Sequence, residues 1–307
     1  MADAGTTISI QPEARTDLYS TFRAGGPADY LTRAGTAPEV ALAFRWARES
    51  NVPVTVFGGG SNLLVSDRGV RGLVIVVKRP GRDAESGLDV RDDGERPLVR
   101  VPASAPSTWL GRTAAERGWR GMAWLVGLPG NVGGAVVNNA GAHGGEIKDF
   151  LVSLRMVNVA GEIVERDRAW LAPGYRFTTL KHAPPSRDLV VIDATFRFER
   201  GALDALKAEA DEYADYRHRT QPTGACAGSI FKNPVGTYSG LLIEQCGLKG
   251  MRVGGAVVSD KHANFIVNDA NASALDVVEL MRRVQEHVAR ETGVELEPEI
   301  ERIGDWS

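Results

Sequence analysis

Three polar side chains in apolar or glycine-rich surroundings could transfer protons or stabilise negative charge: Arg176, Ser229 and Glu299. Arg176 lies between aromatic residues, where an unpaired guanidinium is unfavourable, so we expect it to pair with an acidic side chain or with a substrate carboxylate. Ser229 lacks the Gly-x-Ser-x-Gly pattern of an acyl-transfer nucleophile, which leaves a proton donor or a turn residue as its roles. Glu299 could act as an acid, or it could be an ordinary surface residue. The residues alone leave both roles of each side chain open.

Two glycine-rich stretches could bind an anionic ligand through the backbone. Residues 127–145 contain seven glycines and almost no charge, and residues 58–60 are three glycines followed by Ser61 and Asn62. Because glycine has no Cβ and reaches positive φ at little cost, such loops can turn their N–H groups toward a phosphate. Either stretch alone could be a tight turn. Two of them favour one extended diphosphate ligand.

These residues must be positioned by a mixture of helices and strands. Hydrophobic periodicity and capping residues predict helices at 37–49, 106–118 and 201–219, and a last helix after Ser273. Short apolar runs predict strands at 54–57, 72–77, 152–159, 162–165 and 189–198, with an exposed loop at 183–186. Composition changes near residues 80 and 200, where we place domain boundaries.

Size and composition restrict the possible functions. The 307 residues, of which 43% are hydrophobic and 24% charged, are enough for two or three domains. A net charge of −3 from 36 basic and 39 acidic residues argues against a nucleic-acid partner. No segment of about 18 consecutive apolar residues is present, so we expect a cytoplasmic protein without a membrane partner. Two cysteines without Cys-x-x-Cys spacing indicate neither a disulfide framework nor a metal site.

Taken in order, the sequence blocks resemble the UDP-N-acetylenolpyruvoylglucosamine reductase family of flavoenzymes. The resemblance covers nearly the whole chain and rests on residues 21–29, 57–62, 128–134, 175–176, 228–234, 248–250, 261–262 and 299. It implies an α+β fold class, with an FAD-binding vanillyl-alcohol-oxidase (PCMH-type) fold in two subdomains, 1–80 and 81–200. A C-terminal α+β domain, 201–307, would then bind the UDP-sugar substrate.

The resemblance also implies an activity. NADPH would reduce FAD, and the enolpyruvyl group of UDP-N-acetylglucosamine enolpyruvate would then be reduced to give UDP-N-acetylmuramate for peptidoglycan synthesis. Arg176 matches the family's arginine that polarises the substrate carboxylate, Glu299 matches the residue that stabilises the enolate, and Ser229 matches the serine that reprotonates it. The implied protein is a monomer whose partners are this substrate and NADPH.

The remaining site residues are carried over from the matching blocks. The expected cofactor-binding residues are Phe57, Gly58, Gly59, Gly60, Ser61, Asn62, Pro129, Gly130, Asn131, Gly133, Gly134, Asn139, Ala140 and Gly141. The expected substrate-binding residues are Tyr175, Arg217, Gln221, Lys232, Asn233, Lys249, Lys261 and His262.

The chain departs from the family pattern at three positions. Thr178 stands where serine is usual, His143 where tyrosine is common, and Glu301 where arginine is frequent. The short interval from Arg176 to Ser229 leaves little room for the tyrosine-bearing substrate lid of one branch. We therefore expect the lidless, type II branch.

Two other function classes stay open. The first is another flavin oxidoreductase of the same fold that oxidises an alcohol or a lactone, because a fold does not determine a function. Such enzymes can bind flavin covalently, and His143 in the glycine loop keeps this alternative open. The second is a flavin- or nucleotide-binding protein that has lost catalysis. The complete set of Arg176, Ser229 and Glu299 argues against both.

Overall fold

The computed structural model describes residues 6–78, 87–92, 94–182 and 188–307. The chain forms two compact units. Unit 1 comprises Met1–Gln11, Tyr30–Gly59 and Gly72–Tyr216, and unit 2 comprises Pro12–Asp29, Gly60–Arg71 and Arg217–Ser307. The boundary expected near residue 80 and the loop expected at 183–186 lie outside the described residues. The division into three domains stays a prediction.

Helices and strands alternate along the chain. The helices are α1 Ala37–Glu49, α2 Ser107–Glu116, α3 Val132–Val137, α4 Arg168–Leu171, α5 Thr179–His182, α6 Leu203–Thr220, α7 Ser239–Gln245 and α8 Ala274–Thr292. The strands are β1 Gln11–Arg15, β2 Pro27–Arg33, β3 Val54–Phe57, β4 Leu63–Val65, β5 Val70–Val76, β6 Asp89–Arg91, β7 Leu98–Pro102, β8 Trp119–Arg120, β9 Gly141–Ala142, β10 Gly145–Glu146, β11 Leu151–Asn158, β12 Ile163–Asp167, β13 Leu189–Arg197, β14 Glu199–Arg200, β15 Arg252–Val253, β16 Ala256–Val258, β17 Ile266–Asn268 and β18 Glu301–Ile303. The elements predicted from sequence are present, with ends within two residues of the expected positions. No helix of the described ranges is both long and apolar enough to cross a membrane.

Unit 1 is built around an antiparallel sheet in the order β12-β11-β13-β7-β6. The middle of β11 alternates between buried and partly exposed side chains. Leu154 and Met156 are buried in the core of the unit, whereas Arg155 between them pairs with Asp193 of β13 at 2.5 Å. The guanidinium bonds to Asp193 raise the pKa of Arg155. In this unit β3 also pairs in parallel with residues 73–76 of β5, and the first glycine stretch follows β3 directly.

Helix α1 begins at Ala37, as predicted, and its start makes a carboxylate contact that the sequence did not single out. The Glu39 carboxylate accepts hydrogen bonds from the N–H groups of Gly35 and Thr36, both at 2.9 Å. Such a contact satisfies N–H groups that have no partner within the helix. Val40 and Phe44 are buried on one face of α1, as their spacing predicts.

Unit 2 contains the three-stranded antiparallel sheet β15-β16-β17, a parallel pair of β4 with β18, and helices α7 and α8. The Ser273 hydroxyl caps α8 by accepting from Asp276 N at 3.0 Å, as predicted. The Asp67 carboxylate accepts from two further N–H groups of the first turn, those of Ala274 at 2.8 Å and Leu275 at 3.0 Å. The apolar stripe of α8 predicted from sequence is buried in the core of unit 2, at Val277, Met281, Val284 and Val288.

Both cysteines are free thiols in unit 2. Burial is the largest influence on each, and it raises the pKa of both Cys226 and Cys246. Each thiol is therefore protonated and weakly nucleophilic near neutral pH.

Candidate active site

The two glycine-rich stretches meet within unit 1. Gly58 and Gly59 follow β3, and Gly130 and Asn131 precede α3. A Cβ on Gly59 would overlap the Cα of Gly130, and a Cβ on Gly58 would lie 2.9 Å from Asn131 Oδ1. Only glycine allows this approach of the two backbones. The loops that the sequence assigned to one ligand are therefore neighbours.

The second glycine stretch contains a short helix that the sequence analysis did not predict. Asn131 caps α3, because its Oδ1 accepts from Gly134 N at 3.0 Å. Gly133 packs α3 against the strand region at Ala103, where its N–H donates to the carbonyl at 2.8 Å and an added Cβ would lie 2.9 Å from Ala103 Cβ. Two of the expected cofactor residues, Asn131 and Gly133, thus also have structural roles in holding the loop.

The rest of the first stretch belongs to unit 2. Gly60 has φ +66°, and a Cβ there would overlap the carbonyl oxygen of Tyr19. Ser61 follows, half-buried. Asn62 Nδ2 donates to the carbonyl of Glu299 at 3.3 Å, and Asn62 O accepts from Glu301 N at 2.9 Å. Within unit 2, Asn62 is therefore connected to the segment that carries Glu299, a contact that the sequence did not reveal.

The segments of Ser229 and Glu299 pair with each other in unit 2. Glu299 N donates to the carbonyl of Ile230 at 2.7 Å, and Lys232 N donates to the carbonyl of Glu297 at 2.8 Å. These bonds place Glu299 beside Ile230, the residue after Ser229. Ser229 and Glu299 are both half-buried. Two residues far apart in sequence, predicted to act on the same substrate, thus lie on adjacent backbone segments.

Asn264 holds this pairing in place, and the sequence analysis did not single it out as a site residue. Its Nδ2 donates to Phe231 O at 2.8 Å, its Oδ1 accepts from Phe231 N at 3.0 Å, and its backbone carbonyl accepts from Ile230 N at 2.8 Å. Asn264 is only 3% exposed. The sequence could have identified Asn264, because an asparagine inside the apolar run after His262 must find hydrogen-bond partners when it is buried.

Arg176 lies in unit 1, in a tight hairpin from Gly174 to Phe177. The N–H and carbonyl groups of these two end residues bond to each other at 3.0 and 3.2 Å. Arg176 has φ +51°, its guanidinium carbon lies 5.1 Å from the centre of the Tyr175 ring, and its Nη2 donates to the Gly141 carbonyl at 2.8 Å. Arg176 is thus held beside the end of the second glycine stretch.

Arg217 is the most unusual of the expected substrate-binding residues. It is 8% exposed, and in the described part of the chain its buried Nε has no hydrogen-bond partner. Its Nη1 has a long contact of 3.4 Å to Gln221 Oε1. Burial lowers the pKa of Arg217. A desolvated guanidinium in this state is suited to an anionic ligand group.

The three expected substrate-binding lysines have partners in unit 2. Lys232 Nζ lies 2.5 Å from Glu297 Oε1, and Lys249 Nζ lies 2.6 Å from Glu244 Oε1. Lys261 Nζ donates to the carbonyl of His218 at 2.5 Å. Both carboxylate partners are more than half exposed, so these ion pairs are screened by solvent and a bound phosphate could replace them.

His262 and Asn233, the remaining polar residues of this set, take part in local contacts. His262 Nδ1 accepts from Asn264 N at 3.2 Å. Burial is the main reason that the pKa of His262 is lowered. Its imidazole is therefore neutral near pH 7, which suits it to hydrogen bonding rather than to charge pairing. Asn233 Oδ1 accepts from Ser239 N at 3.1 Å.

Two of the departures from the family pattern make defined contacts in unit 1. Thr178 is fully buried, and its hydroxyl donates to Val137 O at 2.5 Å, a bond that serine could also make. The His143 ring stacks on Tyr213 with centroids 4.4 Å apart and meets Tyr216 edge-on at 5.1 Å. Glu301, the third departure, lies in β18 of unit 2 opposite Leu63.

Comparison with known proteins agrees with this architecture. The sequence model of the FAD binding domain matches residues 28–167, and that of the UDP-N-acetylenolpyruvoylglucosamine reductase C-terminal domain matches residues 220–303. The UDP-N-acetylenolpyruvoylglucosamine reductase of Gloeobacter violaceus is 39% identical to this chain over 96% of each protein. That of Synechocystis sp. is 38% identical over 100% of this chain and 95% of the relative.

Solved structures include a relative of the same name. The crystal structure of UDP-N-acetylenolpyruvylglucosamine reductase from Thermus caldophilus shares 33% identity with this chain, with a TM-score of 0.77. The superposition covers 97% of this chain and 99% of that one. The predicted α+β class, with an FAD-binding fold followed by a reductase C-terminal domain, is confirmed. This chain belongs to the UDP-N-acetylenolpyruvoylglucosamine reductase family.

Proposed function

We propose that Arg176, Ser229 and Glu299 carry the substrate half of the reductase reaction in this chain. The family activity is the FAD- and NADPH-dependent formation of UDP-N-acetylmuramate in peptidoglycan precursor synthesis. The observation that supports the residue roles most strongly is the pairing of the Ser229 segment with the Glu299 segment. Such pairing allows two side chains to act on one substrate group.

The glycine stretches of unit 1 fit the diphosphate of FAD. Gly59 approaches Gly130 so closely that any side chain at 59 would fill the gap, which leaves backbone groups as the lining. Phe57, Gly58, Pro129 and Gly134 are proposed to complete this part of the cofactor site, with Gly60, Ser61 and Asn62 adding contacts from their own segment. The chemistry that FAD supplies when bound is transfer of a hydride from NADPH to the terminal vinyl carbon of the substrate.

The three polar residues then have separate roles at the substrate. Addition of hydride to one carbon of the double bond leaves negative charge on the adjacent carbon and its carboxylate. Arg176 binds the carboxylate, and Glu299, acting in its carboxylic acid form, donates a hydrogen bond to it, so that both stabilise the developing charge. Ser229 delivers its Oγ proton to the adjacent carbon, which completes the addition of H⁻ and H⁺, and its oxygen takes up a proton from solvent before the next turnover.

The nucleotide part of the substrate is assigned to unit 2. Arg217 offers a desolvated guanidinium with an unused donor, which is the form of arginine best suited to a phosphate. Lys232, Lys249 and Lys261 supply further cations. The proposed neutral contacts of unit 2 are Asn233, Gln221 and His262. Tyr175, in unit 1, is proposed as a substrate-binding residue without assignment to the nucleotide.

The proposal includes further assignments of family branch, domain limits, oligomeric state and location. We assign the chain to the lidless branch because of the short interval between Arg176 and Ser229. We also propose FAD subdomains at 1–80 and 81–200, a substrate domain at 201–307, a monomeric state and a cytoplasmic location.

Anaerobic absorbance of the flavin tests the function directly. NADPH should bleach the flavin bands of the purified protein, and UDP-N-acetylglucosamine enolpyruvate should then restore them without oxygen. Bleaching that only oxygen reverses would instead indicate an alcohol or lactone oxidase. Flavin that NADPH does not bleach would indicate a binding protein without turnover.

A further inference from the structure

Asn139 is a buried asparagine whose side chain has protein partners at both ends. It is 1% exposed. Its Nδ2 donates to Gly174 O at 2.7 Å, with a longer contact of 3.4 Å to Glu146 Oε2, and its Oδ1 accepts from Lys148 N at 3.0 Å. Its backbone has φ +42°, a left-handed conformation that asparagine tolerates better than most residues. Any cofactor contact at this position therefore falls to its backbone.

The bond to Gly174 reaches the base of the hairpin that carries Arg176. The Gly174 carbonyl also accepts from Phe177 N at 3.2 Å, so it is fixed from two sides. Arg176 itself has φ +51°, and a residue other than glycine keeps such a conformation only when its surroundings enforce it. The carbonyl that accepts the guanidinium belongs to Gly141, two residues after Asn139. Residues 139–141 thus contact both the base of the hairpin and its functional end.

We propose that Asn139 is a positioning residue for Arg176, which rests on the proposed role of Arg176 in binding the substrate carboxylate. The side-chain amide fixes the Gly174 carbonyl, the hairpin holds the backbone of Arg176 in its left-handed conformation, and the guanidinium is thereby aimed at one place. Loss of the Nδ2 donor releases the base of the hairpin. The enzyme then binds the carboxylate in a looser geometry, whereas the glycine loops of the cofactor site keep their own contacts.

Two variants of the holoenzyme separate positioning from stability. Asn139→Asp keeps the size of the side chain and the acceptor for Lys148 N, but its carboxylate cannot donate to Gly174 O. Asn139→Gly removes the side chain without adding strain at positive φ. We expect kcat/KM for UDP-N-acetylglucosamine enolpyruvate to fall about 10- to 100-fold in both, because small displacements of a substrate-positioning group have effects of this size. The rate of flavin reduction by NADPH should fall less than the rate of substrate reduction, because the lost side-chain donor bonds to the Arg176 hairpin and any cofactor contact of this residue comes from its backbone.

A second readout does not depend on turnover. Affinity of the oxidised holoenzyme for UDP-N-acetylmuramate, measured by calorimetry, should fall about tenfold or more in both variants, since the product keeps the carboxylate that Arg176 binds. The matched control is Asn158→Ala, which removes hydrogen bonds to Ala160 N at 3.0 Å and Glu162 N at 2.9 Å in another turn of unit 1. This control should leave product affinity and both half-reactions unchanged.

Arg176→Ala distinguishes failure of this inference from failure of the proposed function. If Arg176→Ala retains wild-type product affinity and substrate reduction, the proposed role of Arg176 is wrong. If Arg176→Ala loses both but the Asn139 variants keep them, only the positioning role is wrong. In the double variant, Asn139→Asp should reduce kcat/KM by less than about threefold beyond Arg176→Ala, because both changes remove the same interaction. An additive loss, an equal loss of flavin reduction by NADPH, or loss of flavin from both Asn139 variants would overturn the positioning role in favour of a general structural one.

Discussion

Buried asparagines fix the backbone around the proposed site. Asn131 caps α3, Asn139 bonds to the base of the Arg176 hairpin, and Asn264 bonds to both backbone groups of Phe231 beside Ser229. Each supplies a donor and an acceptor from one compact side chain, which no apolar residue of similar size can replace. The functional residues are therefore held by neighbours that take no part in the chemistry.

Asn264→Ala should destabilise the protein strongly. The change leaves the N–H and C=O groups of Phe231 buried without their partners, at a cost of about 1–3 kcal/mol for each such group. Denaturant unfolding should show a free energy of unfolding lower by about 2–6 kcal/mol, together with weaker substrate reduction. A free energy of unfolding within about 0.5 kcal/mol of the wild-type value would contradict the structural role assigned to Asn264.

Arg217→Met should weaken substrate binding with little loss of stability. Methionine fills a similar volume without burying a charge, so replacement of a desolvated, poorly partnered cation is tolerated. Product affinity should fall about 10-fold or more, because a charge-assisted hydrogen bond contributes about 1.5–3 kcal/mol. The control is Arg219→Met at an exposed position of the same helix, for which calorimetry should show product affinity close to wild type. Unchanged affinity in Arg217→Met would remove Arg217 from the substrate site.

His262 should make stability depend on pH in the acidic range. Burial lowers its pKa in the folded protein, with a smaller effect from Lys249 in the same direction and an opposing one from Glu244. The unfolded chain therefore takes up this proton first as pH falls, and stability is lost from about pH 6.5 downward until the folded pKa is passed. The midpoint temperature of thermal unfolding should fall more between about pH 7 and 5 for wild type than for His262→Gln. Parallel curves for the two proteins would contradict this assignment.

The reactive residues could be predicted from the sequence, but the contacts that support them could not. Arg176, Ser229 and Glu299 could be chosen because a polar group in an apolar or glycine-rich run needs an explanation. The bonds from Asn139 to Gly174 and from Asn62 to Glu299 could not be foreseen, since both join residues distant in sequence. Such contacts depend on tertiary packing rather than on local pattern.

At the level of elements, strong local patterns predicted well and short or glycine-rich ones did not. Helix α1, with Val40 and Phe44 buried on one face, and helix α8, with its apolar stripe, follow their predictions. Helix α3 was missed because Gly133 and Gly134 disfavour helix. It is capped by Asn131 and packs against Ala103, contacts that a local pattern does not show. Strands β15 to β18 have two or three residues each, too few to show a period.

The contact between the two glycine loops should control flavin content. Gly59→Ala adds a methyl group that would overlap Gly130, and the backbones must then move apart. We expect a large loss of bound FAD, measured as the ratio of flavin to protein absorbance. The control is Gly174→Ala, where the nearest atom to an added Cβ is 3.7 Å away, an ordinary contact. A normal flavin ratio in Gly59→Ala would show that this approach does not shape the cofactor site.

At the scale of the whole molecule, the resemblance to a known family predicted the function more specifically than composition did. Length, net charge and cysteine count narrowed the class of protein, yet they suit many enzymes. The ordered blocks from residue 21 to residue 299 named the family, and full-length relatives such as that of Gloeobacter violaceus confirm it. Each compact unit is made of several separate segments of the chain, so that Pro12–Asp29, near the N-terminus, belongs to unit 2. Composition along a chain cannot reveal which distant segments belong to the same unit.

The most direct measurement is anaerobic single-turnover kinetics of Ser229→Ala beside wild type. Each holoenzyme is first reduced with NADPH, and the return of flavin absorbance is then followed after mixing with UDP-N-acetylglucosamine enolpyruvate. We predict that reduction by NADPH stays within about twofold of wild type, while flavin reoxidation by substrate slows by about 10²- to 10³-fold, the usual effect of removing one preorganised catalytic donor. Reoxidation of Ser229→Ala at the wild-type rate would contradict the assignment of proton transfer to Ser229.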